Sequence, residues 1–133
     1  MRVEMPLGDV VDRATILRIK VEQIPAARAL ILAELDALTS AWAADGLPPM
    51  EDLADYGELA QVNRALWEVE DRLREHEGEQ SFGPSFVELA RSVYRLNDLR
   101  AALKRNINDL LASRLVEVKS YSGQRRGIVT GSG

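Results

Sequence analysis

The sequence predicts an all-α protein, arranged as an elongated antiparallel bundle of three long helices. Proline and glycine cluster at only a few places among the 133 residues. The long intervals between these clusters carry apolar residues at alternating spacings of three and four. This spacing places the apolar side chains on one face of each helix, where they form a seam that packs against another helix.

The first helix is predicted from about residue 9 to 43, with Gly8 and Asp9 as capping residues. Proline lacks an N–H group and its ring collides with the preceding helical turn, so Pro25 should end or bend the helix. The seam nevertheless continues past Pro25 without a change of phase, through Arg28, Ile31, Leu35, Leu38 and Trp42. We therefore expect one helix with a kink near Pro25, and two separate helices are the alternative.

The second and third long helices follow clear breaks. Gly46, Pro48 and Pro49 predict a loop, and Gly78 and Gly83-Pro84 predict the next one. The helix between them should run from about Glu51 to Glu77, with the seam Leu59, Val62, Leu66, Val69 and Leu73. The last helix should extend to about Ser113, with the seam Phe86, Leu89, Val93, Leu96, Arg100, Leu103, Ile107, Leu110 and Arg114.

The two ends of the chain carry short alternating segments. "RVEMP" near the N-terminus and "LVEVKSY" at residues 115–121 have the spacing of strands, and they predict a small two-stranded β ribbon that joins the termini. The alternative is that residues 115–121 continue the last helix. We expect a single helical domain over residues 1–121 and a flexible, glycine-rich tail over 122–133.

Composition excludes several classes of protein. The chain has 46% hydrophobic residues, enough for a core, and no cysteine, so neither disulfides nor thiolate chemistry is available. No signal peptide or membrane span is evident, and we expect a cytoplasmic protein that does not bind membranes. Residues 1–80 hold 8 Lys/Arg against 17 Asp/Glu, and residues 81–133 hold 9 against 4. This asymmetry favours acidic helices packed on basic ones over nucleic-acid binding.

Arg100 is the main candidate for a functional or structural polar site, because it lies within an apolar seam. A guanidinium removed from water needs an anionic partner. The structural hypothesis pairs Arg100 with an acid on a facing helix, and the candidates are Asp12, Glu70 and Asp71. The functional hypothesis joins Arg100 with Asn97, Lys104 and Asn108, which share its helical face, as a site for an anionic small molecule. The third alternative is that the Arg100 side chain extends past the apolar residues to reach water.

Paired carboxylates suggest a further enzymatic reading. Asp55 with Glu58, and Glu68 with Asp71, have a spacing similar to that of magnesium ligands in all-helical nucleotide pyrophosphatases. Those enzymes place the two pairs on different helices, whereas here both pairs fall on one predicted helix. We therefore predict no metal site and no cofactor.

The remaining catalytic patterns also fail. His76 is the single histidine of the chain and falls at a charged helix end, so a catalytic triad or a histidine metal site is not expected. The segment from Leu96 to Lys119 resembles the first helix of helical chorismate mutases. However, the spacing from Arg100 to Arg114 is about one turn shorter than that pattern requires.

Three segments carry a resemblance to a known family. "GDVVDRATILRIKVEQI", "VNRALWEVEDRLR" and "FVELARSVYRLNDLRAALKRNINDLLASRLVEVKSY" resemble a family of small, mainly helical bacterial proteins of unknown function. The most specific part is the run of Tyr94, Asn97, Asp98, Arg100 and Lys104, together with the closing "SRLVEVKSY". The resemblance implies a helical bacterial protein and supplies no catalytic residues.

The function that the sequence favours is a non-catalytic helical interaction or assembly module. Long helices with few aromatic residues leave a thin core, and thin bundles often complete their burial with a second copy. We therefore expect a homo-oligomer that associates through its helix seams, with a further protein partner as another option. The alternative is a binder of an anionic small molecule, or an enzyme, that uses the face around Arg100.

Overall fold

The computed structural model of the chain describes the backbone of residues 5–130 and the side chains of residues 5–112. Four α-helices pack together: α1 (Leu7–Gln23), α2 (Arg28–Ala44), α3 (Tyr56–Gly78) and α4 (Pro84–Thr130). Short 3-10 turns lie at Pro25–Ala27 and Met50–Asp52. No strand occurs within residues 5–130. The predicted all-α class is therefore confirmed, but the chain forms four helices where three were expected.

The predicted kinked helix is wrong, because the chain reverses direction at Pro25. The backbone leaves the helical region at Ile24, whose φ is -126° and ψ is 74°. Arg13 of α1 forms an ion pair with Glu34 of α2, and in one continuous helix these residues would lie ~30 Å apart. The separate-helix alternative therefore describes the structure. Because the chain reverses, Ile31 and Trp42 of α2 are buried in the interior. The spacing of the apolar residues continues unchanged past Pro25, so it did not indicate the reversal.

Glycine ends α2 and opens the loop that follows. Gly46 has a φ of +76°, the left-handed conformation that glycine adopts readily after a helix end. The Trp42 Nε1–H donates a hydrogen bond of 2.6 Å to the Pro48 carbonyl, which holds the loop against the helix. The loop predicted from Gly46, Pro48 and Pro49 is present.

The N-terminal ends of α1 and α3 differ from the prediction. Gly8 and Asp9 were expected as capping residues, but α1 begins at Leu7 and both lie within its first turn. Likewise, Glu51 and Asp52 belong to a 3-10 turn, and α3 begins only at Tyr56.

Helix α4 includes the C-terminal half of the predicted ribbon. Residues 115–121 are helical, so the β ribbon is wrong for that segment, and residues 2–4 of its other half lie outside the described residues. The helix backbone also includes residues 122–130, for which a flexible tail was predicted. The flexibility of that segment stays a prediction, and residues 131–133 lie outside the described part.

The core lies where the two helical hairpins, α1/α2 and α3/α4, pack on each other. Its buried residues come from all four helices and from the loop before α3: Val11, Ala14, Trp42, Met50, Leu53, Leu59, Val62, Leu66, Leu103, Ile107 and Leu111. The seam residues Val69, Leu73, Phe86 and Leu89 are only half-buried. Helix α1 therefore packs on the α3/α4 hairpin at the end away from its turn, and the end nearest the turn is not covered by α1.

Candidate functional site

Arg100 lies where helices α1, α3 and α4 meet. The seam of α4 points it inward among apolar residues, and α1 presents Asp12 to it between the buried residues Val11 and Ala14. Asn63, from α3, lies beside them and is 4% exposed, while Asp12 is 5% exposed. One polar side chain from each of three helices therefore meets inside an apolar core.

The Asp12 carboxylate is bound on both oxygens. Arg100 Nε donates to Asp12 Oδ1 at 2.9 Å, and Arg100 Nη2 donates to Oδ2 at 2.5 Å. Asn63 Nδ2 donates to the same Oδ1 and to Thr15 Oγ1, each at 2.8 Å. The Thr15 hydroxyl in turn donates to the Asp12 carbonyl at 2.7 Å. A two-point arginine–carboxylate pair of this kind fixes orientation as well as charge.

The electrostatics match this geometry. Burial raises the pKa of Asp12, but the hydrogen bonds from Arg100 and Asn63 and the positive charges of Arg100 and Lys104 outweigh it, so the pKa lies below its ordinary value. The hydrogen bonds to Asp12 raise the pKa of Arg100 further, although burial opposes them. Both groups are therefore charged at neutral pH. No buried side-chain nitrogen or oxygen among the described residues lacks a hydrogen-bond partner.

The rest of the candidate ligand face is also bound to α1. Lys104 Nζ lies 2.8 Å from Asp9 Oδ1, and the Gly8 N–H donates to Asn108 Oδ1 at 2.6 Å. A Cβ added at Gly8 would collide with the Lys104 carbonyl and come within 3.0 Å of Asn108 Oδ1. Glycine therefore lets the first turn of α1 lie directly on α4. Asn97 is exposed and does not share in these contacts.

The two other predicted acidic partners are not hydrogen-bonded to Arg100. Glu70 is near enough to raise the pKa of Arg100 through its charge. Asp71 instead forms an exposed ion pair with Arg74 on its own helix. Of the three acids considered, Asp12 is the one that holds the guanidinium.

The polar residues joined around Arg100 are called the Arg100 cluster: Asp9, Asp12, Thr15, Asn63, Arg100, Lys104 and Asn108. Several of them were not predicted from the sequence. Asn63 and Thr15 were not singled out, and neither was the pairing of Asp9 with Lys104. The one available signal was position, because Asn63 directly follows the seam residue Val62 and Thr15 follows Ala14. A polar residue beside a seam is usually exposed, so this signal does not separate a buried amide from a surface one.

The other groups considered for catalysis do not converge. Among the described residues, no group of three His, Asp or Glu side chains could hold a metal ion. His76 Nδ1 lies 3.1 Å from the Ser81 carbonyl and the ring meets Phe86 edge-on, at the end of α3. A surface groove of about 490 Å³ runs between α3 and α4 there, and it is lined by Arg72, His76, Ser85, Glu88, Leu89 and Ser92. None of these residues belongs to the Arg100 cluster.

The fold and this cluster define a small all-α protein in which two helical hairpins are joined by a partly buried, two-point ion pair between Arg100 and Asp12. The chain belongs to the family of unknown function DUF6165, whose match extends over residues 1–132. The family resemblance inferred from the three sequence segments is thereby confirmed. No curated protein and no solved structure matches the chain. Within the described residues, no helix has both the length and the apolar character needed to cross a membrane.

Proposed function

We propose that the protein is a helical assembly module that associates with copies of itself and has no catalytic site of its own. The observation that carries this proposal is the surface of α2. Only three of its 17 residues are charged, whereas α3 has nine charged residues among 23. Despite its apolar composition, α2 buries only Ile31 and Trp42. An apolar helix with one covered face is typical of an interaction site.

The Arg100 cluster also supports this proposal, because its residues are already bound to one another and so argue against a ligand site. Arg100, Lys104 and Asn108 are each engaged by the first turns of α1, through Asp12, Asp9 and the Gly8 N–H. An anionic ligand would have to displace a carboxylate that already accepts hydrogen bonds from two side chains. We therefore assign these residues a structural role, in which they fix the α1/α2 hairpin on the α3/α4 hairpin.

Two exposed apolar side chains lie on α4, near its N-terminal end. Tyr94 is 75% exposed and Val87 is 44% exposed. They fall seven positions apart and so share one face of the helix. This face is available to a copy of the chain or to another protein, as expected of an assembly module. A cytoplasmic location stays a prediction, supported by a sequence without cysteine.

Sedimentation velocity of the full chain tests the proposal. Over a hundredfold range of concentration, the weight-average sedimentation coefficient should rise, because a self-associating protein shifts toward the larger species by mass action. A coefficient that stays at the monomer value across the whole range would overturn the proposal. A far-UV circular dichroism spectrum with high helix content, recorded on the same samples, establishes that the protein measured is folded.

A further inference from the structure

Helix α4 carries two exposed leucines on a side that α1 leaves open. Leu99 is 40% exposed and Leu110 is 49% exposed, although the seam position of Leu110 predicted burial. They lie eleven positions apart, which is about three helical turns, so their side chains point within ~20° of each other. Both point at least ~120° away from Lys104 and Asn108, which are bound to α1. The two leucines therefore share one open face of α4.

This face continues into the groove at the turn end of the α3/α4 hairpin. Ser92 lines that groove, and Leu99 follows it by seven positions. Seven positions are about two turns, so both side chains lie on the same side of α4. Asn106 is seven positions further on and is exposed. An open strip therefore runs along α4 from the groove to Leu110.

The exposed leucines of α2 do not form a strip of this kind. Leu30 and Leu32 lie two positions apart, so they point ~160° away from each other around the helix. One contact with another helix can therefore cover only one of them. On α4, a single contact can cover both Leu99 and Leu110.

The two ends of α4 lie in surroundings of opposite charge. Residues 66–96, at the turn end of the hairpin, include seven acidic and four basic residues. Residues 113–130, at the other end of α4, include four basic residues and one acidic residue. Because α4 is one helix, these two stretches are separated by at least ~25 Å along it and cannot meet within one chain. They can meet only between two copies.

We infer, building on the proposed function, that two copies of the chain associate through an antiparallel pair of α4 helices. The two-fold axis lies midway between Leu99 and Leu110, so Leu99 of each copy packs against Leu110 of the other. Residues 113–130 of each copy then lie beside the oppositely charged residues 66–96 of the other. The surface is thus complementary to itself, as a two-fold interface requires.

The charges select the antiparallel direction. A parallel pair through the same face would also bring leucines together, with Leu99 beside Leu99. It would, however, place the acidic ends next to each other and the basic ends next to each other, and like charges across an interface oppose association. Turning one copy end to end places each acidic end beside a basic end.

The first test places a charge on the shared face. Leu110→Glu should raise the dimer dissociation constant at least ~10-fold, because it removes an apolar contact and buries a carboxylate against Leu99 of the other copy. Met5→Glu is the matched control, since Met5 is 47% exposed and precedes α1, which binds a different side of α4. It should leave the constant within about twofold. Sedimentation equilibrium gives the constants, and circular dichroism establishes that both variants are folded.

The second test determines the direction of the pair by cross-linking, because the chain has no cysteine. Leu99→Cys and Leu110→Cys, mixed in equal amounts, should form a covalent dimer with a short thiol cross-linker, since the two thiols lie opposite each other. Each variant alone should stay uncross-linked, because its two thiols would be ~16 Å apart along the helix pair. Cross-linking of each variant alone would show a parallel pair and would contradict the inference.

The third test varies the salt concentration. Salt screens interactions between exposed charges, so it should weaken a pair whose ends attract each other. From ~0.05 M to ~0.5 M NaCl, the dissociation constant of the wild type should increase at least ~3-fold. A constant that falls over the same range would show that the charges in the interface repel, against the antiparallel arrangement.

The outcomes separate this inference from the proposed function. A wild-type chain that stays monomeric overturns both. A chain that associates, but whose dissociation constant is unchanged in Leu110→Glu or is raised equally in Met5→Glu, retains the proposed function and refutes the α4 interface. If Leu110→Glu does not fold, the mixture of Leu99→Cys and Leu110→Cys decides, and absence of a cross-link in that mixture refutes the interface.

Discussion

Replacing Arg100 by alanine should destabilise the protein strongly, because it leaves the buried Asp12 carboxylate without its cation. Removing one partner of a buried ion pair commonly costs ~3–5 kcal/mol. The Arg100 side chain is 29% exposed and that of Asp12 is 7% exposed, so water will partly replace the guanidinium. We therefore expect a loss of ~2–4 kcal/mol in the free energy of unfolding, part of it from lost packing of the arginine methylenes. At about 4 °C per kcal/mol for a domain of this size, Tm should fall by ~8–16 °C.

The size of this effect should depend on pH. In the wild type the pKa of Asp12 is lower in the folded than in the unfolded state. The stability that Asp12 contributes is therefore fully present above the unfolded-state pKa of about 3.9, and it is lost as pH falls through the lower folded-state pKa. In the variant, burial without the guanidinium raises the pKa of Asp12, so the folded state regains stability as pH falls and the carboxyl group becomes protonated. The difference in stability between the two proteins should therefore be smaller at about pH 4.5 than at about pH 7.

Urea denaturation followed by far-UV circular dichroism, at one fixed protein concentration, measures both effects. Arg95→Ala is the matched control, since Arg95 also lies on α4 and pairs with Glu88 in solvent, with side-chain exposures of 63% and 65%. That pair should contribute no more than ~0.5 kcal/mol. A loss in Arg100→Ala no larger than that in Arg95→Ala would refute the structural role of the cluster, as would a difference that grows toward acid pH.

Three further outcomes follow from the packing of α1 against its neighbours. Gly8→Ala should lower the free energy of unfolding by ~1–3 kcal/mol, because the Cβ of the new alanine collides with the Lys104 carbonyl. Gly57→Ala is the control, since a Cβ at that position meets open space. It should be neutral or slightly stabilising in the same denaturation experiment. Asn63→Ala should cost ~1–3 kcal/mol by the same measurement, because the buried carboxylate loses a donor. Phosphate or sulfate should leave Tm in a thermal-shift assay unchanged, since Arg100 is already occupied; a rise that disappears in Arg100→Ala would favour a ligand site.

The sequence predicted the helical class because its signal is local and repeated. Leu59, Leu66, Leu103 and Ile107, all assigned to seams, are buried in the core. The reversal at Pro25 was missed for a physical reason. A seam with three-four spacing keeps the same phase whether the next helix continues forward or folds back, provided that both helices face one core.

The polar cluster was predictable only in part. An arginine within a seam required an anion, and Asp12 was one of three candidates. The choice among them depends on where α1 crosses α4, and the close approach of the two helices is permitted by Gly8, which has no Cβ to collide with the Lys104 carbonyl. The burial of Asn63 could not be predicted, because it results from the packing of α1 on α3, and a polar residue beside a seam is usually exposed.

A double-mutant cycle on Asp12 and Arg100 tests the central claim most directly, namely that these two residues hold the two hairpins together. If they have this structural role, the function of the protein depends on its outer surface. The free energies of unfolding of Asp12→Asn, Arg100→Gln and the combined variant are compared with that of the wild type at about pH 7. We expect an interaction energy of ~1.5–3 kcal/mol between the two residues, as for groups in direct contact. Effects that add to within ~0.5 kcal/mol would show that the two side chains are not coupled and would contradict the assignment.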